Sequence, residues 1–217
     1  MKTIIFFLLL ICTSCNIAVR FNESQPKNGE RQHVFPKKLH GKWTAATGET
    51  CTINDSIFEI MSLGYDDMEN QTYTSFDTLT LSDSVQLLAL GNYYVYNFLE
   101  ENGTFTVAVV ECDKNGDFNH YFADDPFQYS KVRSLTIDSA SVLWDDYDEV
   151  SDEFIQHDSV LYQPNFQDLR QSEVAILNWV EFSGQMNKRD LRKLCVAENL
   201  VFSLRKDGSL YLPLEEE

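Results

Sequence analysis

The chain is short of basic charge. Only 17 of its 217 residues are Lys or Arg, against 34 Asp and Glu, for a formal charge of −17. Such a surface repels phosphate backbones and anionic headgroups, so no nucleic-acid partner is expected, and the acidity suits solubility or the attraction of cations and basic partners. Catalytic motifs are missing as well. There is no Gly-x-Ser-x-Gly elbow, no His-Glu-x-x-His and no phosphate-binding glycine loop, and His33, His40, His120 and His157 are scattered. His157-Asp158-Ser159 collects triad residue types, but neighbours on a strand point to opposite faces and cannot converge. A glycan-processing carboxylate pair stays open as an alternative, because sequence spacing does not report the separation such a pair needs.

No cofactor or metal is implied. The acidic run 145–153 and the loop Asp113 to Asp117 offer the oxygens that Ca²⁺ prefers. Neither fits the twelve-residue EF-hand, whose sixth position is glycine where the second loop has Phe118, so they read as a solvated loop and a hairpin turn. Cysteine is sparse beyond Cys15. Cys51, Cys112 and Cys195 form no close pair, which leaves one disulfide with a free thiol, or three isolated buried thiols.

At the N-terminus, Lys2 precedes an unbroken apolar run from Ile4 to Ile11, and Cys12-Thr13-Ser14 places small residues before Cys15, the form of a secretory signal. A membrane span needs roughly 20 apolar residues, and Thr3 to Val19 is shorter and interrupted by Thr13, Ser14 and Asn16. The ending at Cys15 resembles the lipobox of bacterial lipoproteins, with Cys12 where leucine is usual. That resemblance implies removal of residues 1–14, lipidation of Cys15 and a membrane attachment made by acyl chains alone. In Bacteroidota-type lipoproteins bound for the cell surface, acidic residues commonly follow the cysteine. Asn16-Ile17-Ala18-Val19-Arg20 has none, which implies an outer-membrane position facing the periplasm. Residues 15–36 are mostly polar without an apolar period, so they read as lipidated cysteine and flexible tether, followed by one globular domain over 37–217.

Within that domain, short β signals alternate with turn chemistry. Asn92 to Leu99 and Thr104 to Val110 are aromatic and β-branched and flank Glu100-Glu101-Asn102-Gly103, a hairpin. Asp113-Lys114-Asn115-Gly116-Asp117 turns the chain into Phe118 to Phe122, completing a three-strand meander. Further strands are expected over Cys51 to Ile60, Tyr73 to Leu90, Ser134 to Ile137, Ser141 to Trp144 and Phe154 to Tyr162. The count suits an antiparallel β-barrel or sandwich. A helix is expected from Asn165 to Phe182, although Val174 to Leu177 fits a buried strand equally well. Asn187, with Asp190 three residues later, caps a short helix carrying Leu191, Leu194 and Cys195, and Leu200 to Leu212 forms a terminal hairpin. Gly41-Lys42-Trp43 resembles the opening strand of lipocalin-like domains, which implies a closed barrel with Trp43 at its base.

These features point to a binder. In a closed barrel, one face of the aromatic strand carrying Tyr93, Tyr94, Tyr96 and Phe98 would line a cavity for a small apolar or amphipathic ligand, with Trp43 beneath. The alternative is an acidic protein–protein interaction module in an envelope complex, which a filled core would favour. Five triplets read Asp, hydroxyl, apolar, at Ser56, Thr78, Ser84, Ser139 and Ser159. They resemble the O-glycosylation sequon of Bacteroidota, although five Asp-Ser turns leading into strands would produce the same pattern.

Overall fold

A computed structural model describes residues 17–66, 71–148, 153–165, 167, 169 and 175–213. In chain order the strands are β1 (Ala18–Phe21), β2 (Glu30–Gln32), β3 (Gly41–Thr44), β4 (Thr50–Ile53), β5 (Phe58–Asp66), β6 (Gln71–Leu79), β7 (Val85–Leu90) and β8 (Tyr93–Leu99). They continue as β9 (Phe105–Cys112), β10 (Phe118–Tyr121), β11 (Thr136–Asp148), β12 (Glu153–Tyr162) and β13 (Ala175–Ser183), then helix α1 (Lys188–Leu194), β14 (Leu200–Leu204) and β15 (Leu210–Tyr211). The fold is mainly β and sandwich-like, with a small C-terminal helix and a terminal hairpin. The smaller sheet runs β3-β4-β5-β6, and the larger runs β12-β11-β13-β1-β9-β10-β14-β15, with β8, β7 and β2 branching from β9.

The branch decides the shape. Along one side β9 pairs with β8 over Phe105 to Glu111, while its other side is shared, Phe105 meeting β1 and Val109 to Cys112 meeting β10. The sheet therefore forks instead of closing, and two cores form. One holds Val19, Phe21, Val95, Val180, Phe182 and Leu191 under β1, β13 and α1. The other holds Phe35, Trp43, Cys51, Phe58, Tyr96 and Phe202 between the two sheets. The closed lipocalin-type barrel is accordingly replaced by a forked sandwich.

The expected meander β8-β9-β10 and the closing hairpin β14-β15 are present. So is the Asn187 cap: its side chain accepts from the Arg189 and Asp190 amides, and Asp190 returns a bond to the Asn187 amide. Three expectations are corrected. The expected tether over 15–36 is not one from residue 17 onward, because Ala18–Phe21 lies inside the large sheet, parallel to β13 in register Ala18↔Trp179 to Phe21↔Phe182, and Phe21 is fully buried. The polar residues after it are held in place. The Gln25 amide donates to Asn97 Oδ1 at 2.5 Å, Asn97 Nδ2 donates to the Gln25 carbonyl at 2.7 Å, and Gln25 Oε1 accepts from the Met186 amide at 2.6 Å. Buried polar groups satisfied this way lock a segment as firmly as apolar ones.

The second correction is Asn165 to Phe182. Ala175–Ser183 is a strand, because β11 and β1 flank it and supply ladder partners on both sides. Only Gln167 and Leu169 are described as helical, beside Asn165, whose Oδ1 accepts from the Gln167 amide at 2.8 Å. The third is the acidic run. Asp145 to Asp148 belong to β11 and Glu153 opens β12, paired in register Asp148↔Glu153, so the acids extend a hairpin, and residues 149–152 lie outside the described residues.

Candidate functional site

Trp43, Tyr93, Tyr94, Tyr96 and Phe98 pack into the two cores. Tyr93 and Val95 point into the first core, while Tyr94, Tyr96 and Phe98 point into the second. Covered on both faces, β8 needs aromatic and β-branched residues at nearly every position, which is why it lacks alternation. Phe58 packs between Tyr96 and His120, with ring centroids 6.1 and 5.7 Å away. Trp43 is buried and donates from Nε1 to the Arg205 carbonyl at 3.0 Å. A Cβ on Gly41 would come within 2.7 Å of the Trp43 ring, so the Gly-x-Trp spacing is explained by the ring lying across the glycine.

The second core contains one uncomfortable side chain. His120 stacks on Phe202 with centroids 4.0 Å apart, and its Nε2 has no hydrogen-bond partner among the described residues. Burial pushes its pKa down to about 3. The folded ring is therefore neutral where an unfolded histidine, with a pKa of about 6.5, takes up a proton. Because the unfolded chain binds the extra proton between those values, this group's contribution to stability is lost on acidification, at about 1.4 kcal/mol per pH unit. His120→Phe keeps the stacking and removes the nitrogen. Urea unfolding at pH 7.5 and 5 is expected to show a smaller acid loss in the variant than in the wild type, and equal losses would refute the assignment.

Cys51, Cys112 and Cys195 are free thiols. Burial raises the pKa of each, which keeps them protonated and unsuited to nucleophilic chemistry. Asp113 Oδ1 accepts from the amides of Asn115 and Asp117, the ordinary bonding of a turn. Among the described residues no group of three or more His, Cys, Asp or Glu is arranged to hold a metal.

The sequon-like hydroxyls divide by environment. Ser56 and Ser84 are exposed in turns, and Thr78 is exposed on β6. Ser159 is half-buried on β12. Ser139 is only 7% exposed within β11, so a glycan there is incompatible with the folded sheet. Cys15 and the signal-like residues lie outside the described residues.

Sequence reasoning passed over the free edge of β12. That strand pairs with β11 along its whole length, from Ser139↔Tyr162 to Asp148↔Glu153, and among the described residues nothing pairs with its other side. Val160, Leu161 and Tyr162 are 43%, 37% and 81% exposed, so consecutive residues present apolar surface on both faces of the edge. Asp158, two residues before Val160, accepts from Ser141 Oγ at 2.5 Å. Among the described residues no strand lies beyond β12, and its three exposed apolar side chains are an invitation to strand pairing that proteins usually suppress.

Comparison with protein families, with characterised proteins and with solved structures yields no match to this chain.

Proposed function

We propose that the protein is a lipid-anchored envelope lipoprotein whose sandwich docks a partner protein along β12. The observation that carries the reading is the long outer edge of β12, which among the described residues has no strand beyond it and ends in three exposed apolar side chains. Main-chain bonds from an added strand would supply affinity, and Val160, Leu161 and Tyr162 would supply apolar contacts. The partner's chemistry follows from the hairpin's charge. Asp145, Asp146, Asp148, Glu153 and Asp158 lie on β11 or β12, so an extended basic segment is the complementary occupant. Lipidation at Cys15 fits this role by keeping the edge in the plane of the envelope, and among the described residues no helix is long and apolar enough to cross a membrane.

One experiment in the native host tests both parts. The chain is expected in the membrane pellet with a covalent acyl mass, and a photocrosslinking residue at Tyr162 is expected to trap one partner in a salt-sensitive manner. The same crosslinker at exposed Asn102, on the β8-β9 turn, should not trap it. Identical crosslinks from both positions, or none from Tyr162, would overturn the docking reading, and an unmodified mass would overturn the anchor.

A further inference from the structure

Acidic residues outnumber basic ones two to one in this chain, 34 against 17, yet one cleft reverses the balance. It has a volume of about 350 Å³, its walls include Lys38, Arg205 and Lys206, and no carboxylate lines it. Its floor is apolar, made by Trp43, Phe118 and Leu204. Lys38 comes from the 3-10 turn Lys37–Leu39 that precedes β3, and Arg205 and Lys206 from the turn between β14 and β15, so two distant segments converge to build it.

Arg205 is ion-paired with Asp117, whereas among the described residues the two lysines have no such partner. Asp117 sits behind the wall: its Oδ2 accepts from Arg205 Nη1 at 3.0 Å and its Oδ1 from the Lys206 backbone amide at 2.8 Å. That carboxylate fixes the turn and leaves the Lys206 ammonium unpaired. The Arg205 guanidinium also lies 5.1 Å above the Tyr211 ring, and its carbonyl accepts from Trp43 Nε1. Lys38 Nζ lies 4.7 Å above the Tyr94 ring. Among the described residues neither Lys38 nor Lys206 has a carboxylate within ion-pair distance. In a protein this acidic, two ammonium groups without an ion-pair partner at a cleft floored by Trp43, Phe118 and Leu204 set positive charge next to apolar surface.

We infer that this cleft is a binding site for a small anionic amphiphile, with the anionic head between Lys38 and Lys206 and the first carbons of the tail against Trp43 and Phe118. Ammonium groups serve as point-charge partners for phosphate or carboxylate, and the volume admits a headgroup with a short apolar stem. The site uses exposed lysines, whose replacement leaves the cores untouched. It is separate from the β12 edge in both residues and chemistry.

The test is calorimetric titration of the purified full chain with dodecyl phosphate below its micellar concentration, alongside inorganic phosphate and uncharged dodecyl maltoside. Dodecyl phosphate is expected to bind at least tenfold more tightly than either comparator, and more weakly as salt rises. The Lys38→Met/Lys206→Met variant keeps the aliphatic stems and is expected to lose at least tenfold in affinity while unfolding at the wild-type midpoint. Equal binding of dodecyl maltoside, or an unchanged affinity in the double variant, would overturn the role of the cations. Inorganic phosphate binding as tightly as dodecyl phosphate would overturn the role of the apolar floor, and no binding of dodecyl phosphate would overturn the site.

Discussion

Phe21→Ala is expected to lower the unfolding free energy by about 3–5 kcal/mol, the usual cost of truncating a fully buried phenylalanine. The side chain has no exposed surface and meets Tyr129 edge-on at 5.5 Å and Phe182 in a stack at 5.8 Å. Those rings come from the 3-10 turn Pro126–Lys131 and from β13, so the truncation would open a hole where three separate segments meet. Chemical denaturation reads it as a large drop in midpoint with the slope unchanged. A wild-type midpoint would mean that residues 18–21 lie outside the sheet after all, as their composition suggests.

Gly184→Ala should destabilise by about 3 kcal/mol or more, through two effects that act together. Gly184 has φ of +95°, a conformation that side chains avoid, and a Cβ there would stand 2.3 Å from the Ser134 carbonyl oxygen. The obstacle is backbone, so no rotamer change relieves it. Relief would require moving the end of β13 or the approach to β11, and the Gly184 carbonyl also accepts from Gln25 Nε2 at 2.9 Å, which ties the shift to the N-terminal segment. The expected readouts are a lower thermal midpoint and faster hydrogen exchange at Gln25 and Met186, whose mutual bond depends on the same geometry. A midpoint within a degree of the wild type would show that the contact is relieved without loss.

What the sequence discloses is its local structure. The β8-β9 hairpin is announced by Asn102-Gly103, the β9-β10 turn by Asn115-Gly116, and the α1 start by Asn187 and Asp190, because each depends on residues within a few positions of one another. What stays hidden is non-local. Strand β1 is four residues, Ala-Val-Arg-Phe, too short for a period to show, and it becomes a strand only because β13 and β9 offer edges. The run Ala175–Ser183 satisfies helical and strand spacing alike, and its two ladder neighbours decide between them. Aromatic rings on both faces of β8 are legible, but whether they enclose space or fill it depends on the sheet forking at β9. The basic cleft joins residues 38, 43, 112, 118, 205 and 206, which no motif spacing connects.

The parallel pairing of β1 with β13 also sets an order of events. Ala18 and Trp179 are about 160 residues apart in the chain, and closing so long a loop precedes any gain from the contact. During synthesis the first described strand is made long before its partner, so the centre of the large sheet assembles late. The β8-β9-β10 meander, with short loops, can form early and wait. Until residues 175–183 arrive, Phe21 lacks Phe182 and the edge of β1 is bare, so a chain that crosses a membrane N-terminus first would do so with its central seam still open.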